Sequence, residues 1–189
     1  MTQIAIIVGT KGRGSNMRAI IEACENGRIN AEVACIISPS ESAPAVETAR
    51  TLGAKVVVPA IFDAELSEAL SAHEVDLVCL AGYMRLIPIE VVETYEGRML
   101  NIHPALLPRF GGKGMWGRKV HEAVLAAGET QSGCTVHFVT ERYDEGTALF
   151  QLTCPVEPDD TPETLAARVL EMEHACYVQA IILWLERNV

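Results

Sequence analysis

Short apolar runs recur along the first half of the chain, and segments of helical periodicity lie between them. The runs are continuous and rich in β-branched residues, which is typical of strands buried on both faces of a parallel sheet. We predict five such strands, at residues 4–8, 33–37, 56–58, 77–81 and 99–103. Strands that alternate with helices in this way predict an α/β fold with helices on both faces of the sheet.

The segments between the runs give the first helices. Met17, Ile20, Ile21 and Cys24 repeat at helical spacing, and Gly27 stands where a helix would end. Two more helices are predicted at residues 42–53, with Pro44 in the first turn, and at residues 63–72, with Asp63 as the capping residue.

The pattern changes in the second half. Residues 109–118 are rich in glycine and basic, so we predict a loop there, followed by a helix at 119–127. Two strands at 135–139 and 148–154, joined by a polar turn, would be antiparallel, and a long final helix would run from 160 to 186. The predicted fold is an open, mostly parallel twisted sheet with C-terminal antiparallel strands and a long final helix.

Composition narrows the possible partners. The 189 residues suit one domain with a single core. With 25 acidic and 15 basic residues the formal net charge is −10, so we expect no nucleic-acid partner. The first apolar run is too short for a signal peptide, and no run approaches the ~20 apolar residues of a membrane span. With six cysteines outside any CxxC pair, these features predict a cytoplasmic chain that does not contact a membrane.

A glycine-rich turn after the first strand has the chemistry of an anion site. Gly14, Ser15 and Asn16 stand where the first helix begins, and free N–H groups and the helix dipole favour a phosphate there. The glycine spacing matches neither GxGxxG nor the Walker pattern. From the residues alone, a phosphate turn and an ordinary tight turn both remain open.

Asn101 and His103 form the second candidate. Alternation along the fifth strand places both side chains on one side, at the end of the strand where open α/β sheets bind ligands. An amide beside an imidazole can hold a developing oxyanion, and the imidazole can act as general acid or base. The alternative is a solvated polar pair at a strand end.

Other polar residues carry weaker signals. Asp144 lies in a polar turn, and it is a catalytic candidate only if the fold brings it to His103. We expect Glu173 and His174 to lie on a solvated helix face, and His137 to be a structural residue of a strand. Because the His and Cys residues lack the spacing of metal ligands, we expect no metal.

Five segments occur together in the order of one enzyme family. They are GSN at 14–16, LAGYMR at 80–85, LNIHPALLP at 100–108, SGCTVHFVT at 132–140 and EHACY at 173–177. With them the chain resembles the phosphoribosylglycinamide formyltransferases (glycinamide ribonucleotide transformylases), a branch of the folate-dependent formyltransferases. The NIHPxLLP run is highly specific to folate formyltransferases, and the GSN turn favours this branch.

The resemblance implies one Rossmann-like formyltransferase domain over residues 1–189, with a phosphate-binding half at 1–98 and a catalytic, folate-binding half at 99–189. It implies catalytic roles for Asn101, His103 and Asp144. The phosphate and ribose of the substrate would contact Gly14, Ser15, Asn16 and Glu173. The folate would contact Met84, Arg85, Leu86, Ile87, Asn101, Val139, Thr140, Glu141 and Asp144.

The implied reaction belongs to purine synthesis. The amine of N1-(5-phosphoribosyl)glycinamide (glycinamide ribonucleotide) attacks the formyl carbon of 10-formyltetrahydrofolate, and tetrahydrofolate leaves. Asn101 would donate to the oxyanion, and His103 would do so as a cation that Asp144 favours. The implied partners are these small molecules, with the reduced folate as co-substrate and no metal, and the chain would act as a monomer or homodimer.

Three features depart from the family pattern. The first turn, at residues 10–13, is longer than is common, and residues 110–118 differ from the better-known pattern. The chain also stops soon after the last helix. Lys11 and Arg13 would either add phosphate contacts or point to water, and the loop would reshape the phosphate side of the pocket.

Two other functions stay open at this point. Another folate-dependent formyltransferase or a formyltetrahydrofolate hydrolase would share the same catalytic core. A non-catalytic nucleotide-binding module would use the turn at 14–16 without needing Asn101, His103 and Asp144 together. A Rossmann dehydrogenase is disfavoured, because the chain lacks GxGxxG and an acidic residue that closes the second strand.

Overall fold

The computed structural model describes residues 1–188, which form a seven-stranded sheet and six helices. The elements are β1 (Thr2–Val8), α1 (Ser15–Glu25), β2 (Ala31–Ile37), α2 (Pro44–Thr51), β3 (Val56–Val57), α3 (Phe62–Ser71), β4 (Leu77–Ala81), α4 (Ile89–Thr94), β5 (Met99–His103), α5 (Arg118–Ala126), β6 (Gln131–Phe138), β7 (Ala148–Pro155) and α6 (Pro162–Asn188). The strand order is β3-β2-β1-β4-β5-β6-β7. Pairs β2–β3, β1–β2, β1–β4 and β4–β5 are parallel and β6–β7 is antiparallel, so the predicted fold class is confirmed.

Residues 1–101 form one compact unit around the parallel strands. In β1 the five residues from Ile4 to Val8 are fully buried, as a strand covered on both faces requires. The apolar stripe of α1, with Met17, Ile20 and Ile21, is buried as well. Burial of each large side chain stabilises the fold by about 1.5–3 kcal/mol, so this unit has the core that the apolar runs predict.

Residues 102 onwards form a second compact unit. The antiparallel strands β6 and β7 pair along their length, and α6 packs against both of them and against α5. The buried side of α6 includes Leu165, Val169, Tyr177 and Ile181. No helix in the described part of the chain is both long and apolar enough to cross a bilayer.

Two helix predictions were incomplete. The pattern gave no sign of α4, because six residues with only Val91 and Val92 buried hold too little periodicity. Asp63 does not cap α3, which begins one residue earlier and has Ile61 at the capping position. The Glu65 carboxylate instead accepts hydrogen bonds from the N–H groups of Ala60 and Ile61, which satisfies the helix start from within the first turn.

The strand β6 begins four residues earlier than predicted, at Gln131. Gly133 obscured this start, since glycine is uncommon in strands. A Cβ at Gly133 would collide with the Leu152 carbonyl of β7 and with the Leu106 side chain. The glycine therefore permits a close approach of the two strands rather than ending one of them.

Candidate active site

The phosphate turn predicted at residues 14–16 lies at the start of α1. Gly14 is the N-capping residue and has φ 77°, a left-handed conformation that favours glycine. No side chain caps the helix, and its first turn holds no acidic residue. This 11-residue helix therefore presents backbone N–H groups and the positive end of its dipole where Ser15 and Asn16 lie.

A second segment of the same unit lies beside this turn. Gly9, which directly follows β1, approaches the loop after β4 so closely that a Cβ there would overlap the Gly82 carbonyl. The loop continues with Met84 and Leu86, which are exposed, and Ile87, which is buried. The ends of β1 and β4 thus bring the predicted phosphate turn and the predicted folate segment to one edge of the unit.

The folate segment is braced by an aromatic stack. The rings of Phe62 and Tyr83 lie 5.4 Å apart at an interplanar angle of 25°. The Arg85 guanidinium lies 5.5 Å and 5.7 Å from their centroids and 3.7 Å from Asp63. These contacts hold Arg85 on one side of the loop, with more than half of its side chain exposed.

The structure brings His103 and Asp144 together in the second unit. His103 ends β5 and is 4% exposed, and its Nδ1 lies 3.4 Å from Asp144 Oδ2. Asp144 belongs to the turn between β6 and β7 and has φ 59°, an uncommon conformation for a residue with a Cβ. Residues in such conformations cluster at functional sites, and they persist only where the surrounding structure holds them in place.

His137 is a residue of the site that the sequence did not reveal. The sequence predicts a structural residue of a strand, whereas in the structure its Nε2 lies 3.5 Å from Asp144 Oδ1 and its ring is 3% exposed. Asp144 therefore lies between two imidazoles, one near each carboxylate oxygen. The available signal was the spacing of His137 just before the turn that carries Asp144, which brings it near the same strand end.

The glycine-rich loop after β5 contacts this pair through its main chain. The Nε2 atom of His103 lies 2.8 Å from the Phe110 carbonyl, to which it donates when protonated. The N–H of Gly112 donates to Asp144 Oδ2 at 2.8 Å. Phe110 and Gly112 both have positive φ angles, 58° and 93°. The loop predicted at 109–118 is thus present, and its backbone is part of the site.

Burial and charge act in opposite directions on the two titrating groups. Burial lowers the pKa of His103, and the Asp144 carboxylate and the Phe110 carbonyl offset only part of that effect. Burial by itself raises the pKa of Asp144, but the hydrogen bond from His137, the charge of His103 and the Gly112 N–H together hold that pKa below its usual value. In the absence of substrate, His103 is therefore less readily protonated than the sequence-based expectation of a cation, while Asp144 stays ionised.

The remaining candidates lie at different depths. Asn101 is half-buried and precedes His103 by two residues on β5, so the two side chains lie on the same side of the strand. Glu173 is 9% exposed, so the expectation that it lies on a solvated helix face was wrong. A carboxylate buried in this way requires a polar partner.

His121 is a further buried imidazole of this unit. It is 4% exposed on α5, and among the described residues its Nδ1 has no hydrogen-bond partner. Burial and then the charge of His103 lower the pKa of His121, which keeps it neutral. Residues 1–188 contain no cluster of three or more His, Cys, Asp or Glu side chains arranged to hold a metal ion.

The arrangement suits acyl-type transfer. A buried imidazole held by a carboxylate can move a proton and donate to an oxyanion, and an amide such as that of Asn101, two residues earlier on β5, can also donate. His103 is only 4% exposed, and electrostatic interactions are stronger away from bulk water.

Comparison with known proteins agrees with the sequence and the fold. Residues 3–181 match the family described as formyl transferase. A chloroplastic phosphoribosylglycinamide formyltransferase of Arabidopsis thaliana is 44% identical over 185 residues, covering 93% of this chain and 63% of that relative. The phosphoribosylglycinamide formyltransferase of Escherichia coli (strain K12) is 36% identical over 187 residues, covering 95% and 85%. The chain therefore spans less than two thirds of the length of the Arabidopsis relative.

A solved structure gives the same result. The crystal structure of glycinamide ribonucleotide transformylase 1 from Symbiobacterium toebii matches with a TM-score of 0.90 and 41% identity, covering 100% of this chain and 89% of that one. The resemblance seen in the sequence is thereby confirmed. Because the family match extends over nearly all residues, the chain belongs to the formyl transferase family.

Proposed function

We propose that the chain transfers the formyl group of 10-formyltetrahydrofolate to the amine of glycinamide ribonucleotide, a step of de novo purine biosynthesis. The observation that carries the proposal is the pair of His103 and Asp144, whose Nδ1 and Oδ2 atoms lie 3.4 Å apart. His103 follows Asn101 by two residues on β5. The family supplies the reaction class, and the names of the relatives supply the substrates.

The reaction requires one proton to move. A bond forms between the amine nitrogen and the formyl carbon, the bond from that carbon to the folate nitrogen breaks, and the amine proton passes to the departing folate. Asn101 donates to the developing oxyanion. His103 donates to it through Nε2, which exchanges the Phe110 carbonyl for the substrate, and relays the proton. Asp144 stabilises His103 when the imidazole is charged.

The substrate contacts follow from the same proposal. The N–H groups at the start of α1 bind the phosphate at Gly14, Ser15 and Asn16, supported by the left-handed Gly14 and the absence of an acidic residue in that first turn. Glu173 accepts hydrogen bonds from the ribose hydroxyls. The folate contacts lie at Met84, Arg85, Leu86 and Ile87 in one segment and at Val139, Thr140, Glu141 and Asp144 in the other.

The chain divides by task in this proposal, with phosphate binding in residues 1–98 and catalysis and folate binding in residues 99–189. The two compact units, which divide after Asn101, support this assignment. We place the protein in the cytoplasm as a monomer or homodimer, and its six free thiols suit a reducing compartment. Light scattering after size-exclusion chromatography tests the oligomeric state.

The test is formyl transfer by purified protein, followed as tetrahydrofolate release with and without glycinamide ribonucleotide. We expect release that depends on the amine. Asn101→Ala should lower kcat by about 10²–10³-fold, the usual loss of one oxyanion donor, and His103→Ala should lower it at least as far. Asn30→Ala, which removes an exposed amide, is the matched control and should keep full activity.

The other outcomes identify the competing functions. Equal release of tetrahydrofolate without the amine would indicate a formyltetrahydrofolate hydrolase and overturn the transferase. Phosphate binding by the turn at 14–16 without folate binding would indicate a nucleotide-binding module. The hydrolase shares the catalytic core, so only the dependence on the amine separates it from the transferase.

A further inference from the structure

Two side chains with no role so far hold the turn that follows His103. Thr135 on β6 and Gln151 on β7 stand directly opposite each other in the antiparallel register. Their side chains therefore lie on the same face of the sheet, and Gln151 Nε2 donates to Thr135 Oγ1 at 2.8 Å. We refer to them as the Thr135–Gln151 pair.

The Thr135 hydroxyl is fully used. Its Oγ1 donates to the Ala105 carbonyl at 2.6 Å and accepts the N–H of Leu107 at 3.0 Å as well as the Gln151 amide. One donated and two accepted hydrogen bonds saturate a hydroxyl. Thr135 is 0% exposed, so removing the hydroxyl would leave buried main-chain groups of the turn without partners.

Gln151 adds a second bond to the same turn. Its Nε2 also donates to the Leu107 carbonyl at 3.0 Å. Two side chains therefore bind three main-chain groups, all within four residues of His103: the Ala105 carbonyl and both the N–H and the carbonyl of Leu107.

This turn leads directly into the loop segment that contacts the catalytic pair. Three residues beyond Leu107, the Phe110 carbonyl lies 2.8 Å from His103, and the N–H of Gly112 donates to Asp144. The chain thus leaves His103, is held by Thr135 and Gln151, and returns to His103. Its path between these points sets where the Phe110 carbonyl and the Gly112 N–H lie.

We propose that the Thr135–Gln151 pair is a positioning device for the formyl transfer, which fixes the turn after His103 and so orients His103 and Asp144. The pair acts through these residues and not on the substrates. The inference rests on the proposed function, because it assigns the catalytic work to His103 and Asp144. A displacement of about 1 Å in a catalytic group costs about 10²-fold in rate.

The test uses steady-state kinetics over a range of pH for the full chain. Thr135→Val keeps the shape of the side chain and removes the hydroxyl, whereas Thr135→Ser retains the hydroxyl. Gln151→Leu removes the amide at an exposed position, where the substitution should not affect folding. Thr153→Val, at the exposed position two residues along β7, is the matched control.

We expect kcat to fall by about 10–100-fold in Thr135→Val and less in Gln151→Leu, with KM values within about threefold of wild type. Thr135→Ser and Thr153→Val should match wild type, and the double variant should be less than additive because the two residues act as one unit.

The pH profile separates positioning from simple support of the fold. The imidazoles of His137 and His121 and the Asp144 carboxylate are the ionisable groups around His103. Asp144 and the Phe110 carbonyl raise the pKa of His103, while the charge of His137 lowers it. Displacing that carbonyl should move the limb of the kcat profile that belongs to His103 to lower pH in Thr135→Val.

Three results would overturn the proposal. One is a wild-type kcat and pH profile in both Thr135→Val and Gln151→Leu. The second is a loss of kcat with an unchanged pH profile, which would indicate structural support alone. The third result applies if Thr135→Val does not fold. In that case Gln151→Leu is the test, and a wild-type kcat and pH profile in Gln151→Leu would overturn the proposal. Failure of the proposed function is distinct, because the wild-type protein would then show no amine-dependent transfer.

Discussion

Asp144 is the residue on which the site depends, because it unites groups from separate parts of the second unit. Its carboxylate lies near His103 and His137 and accepts the N–H of Gly112. These partners hold the pKa of Asp144 below its usual value despite burial. The carboxylate therefore stays charged at neutral pH and acts on His103 as a fixed negative charge.

Replacing that charge should change the titration of His103. In Asp144→Asn the carboxylate that raises the pKa of His103 is gone, while the burial that lowers it remains, so the pKa should fall further below its ordinary value. The measurement is NMR titration of the His103 ring. Asp160→Asn, a carboxylate engaged with Arg168 instead, is the control, and an unchanged or raised pKa in Asp144→Asn would contradict the expectation.

At the scale of elements, the loop at 109–117 and the start of α6 show two ways of fixing a backbone. The loop depends on glycines at positive φ, among them Gly112 at 93° and Gly114 at 90°. The helix start depends on charge, since Asp160 and Arg168 form two hydrogen bonds of 2.6 Å and 2.8 Å. The loop glycines position main-chain groups against His103 and Asp144, whereas the ion pair at the start of α6 stabilises the fold.

Gly112→Ala should impair catalysis more than folding. An alanine is strained at φ 93°, and relief of that strain would move the N–H away from Asp144. Gly128→Ala, at φ 67° with open space around it, carries a similar backbone strain away from Asp144. We expect a lower kcat per folded molecule in Gly112→Ala only, and equal kcat in the two variants would refute the role of this N–H.

The ion pair at the start of α6 should make stability depend on pH. Hydrogen bonds from Arg168 hold the pKa of Asp160 well below its usual range. The contribution is complete above the unfolded pKa of about 3.9 and is lost as the pH falls through the lower folded value. Thermal unfolding at decreasing pH should show a flatter acid decline in Asp160→Asn than in wild type, while the exposed Asp159→Asn keeps the wild-type slope.

Much of the fold could be predicted because most of its strands and helices show a clear local pattern of apolar residues. The strands β4 and β5 were placed to the residue, since buried parallel strands are continuous apolar runs. The start of β6 was missed because Gly133 is required by the close approach of the Leu152 carbonyl, which lies on the next strand and cannot be read from the local pattern. The role of His137 was missed because it depends on how the turn after β6 folds back, which places the Asp144 carboxylate beside the imidazole.

At the scale of the whole molecule, stability rests on cores that the apolar runs build, while the charged surface carries the net −10. Ile6 in β1 is 0% exposed, whereas Ile61 before α3 is 64% exposed. The same side chain therefore occurs in two opposite environments, which allows a direct comparison.

Ile6→Ala should destabilise the protein by about 2–5 kcal/mol, through lost burial and the cavity that remains. Ile61→Ala should stay within about 0.5 kcal/mol of wild type, as exposed substitutions usually do. Urea unfolding followed by circular dichroism measures both. Similar free energies of unfolding for the two variants would show that β1 is not part of the core.

The glycine-rich loop contacts His103 and Asp144 through a main-chain carbonyl and a main-chain N–H, not through side chains. Main-chain contacts of this kind do not depend on which side chains the loop carries, provided that the backbone angles are kept. The side chains of Lys113, Met115 and Trp116 can therefore be exchanged with little disturbance of the His103–Asp144 pair.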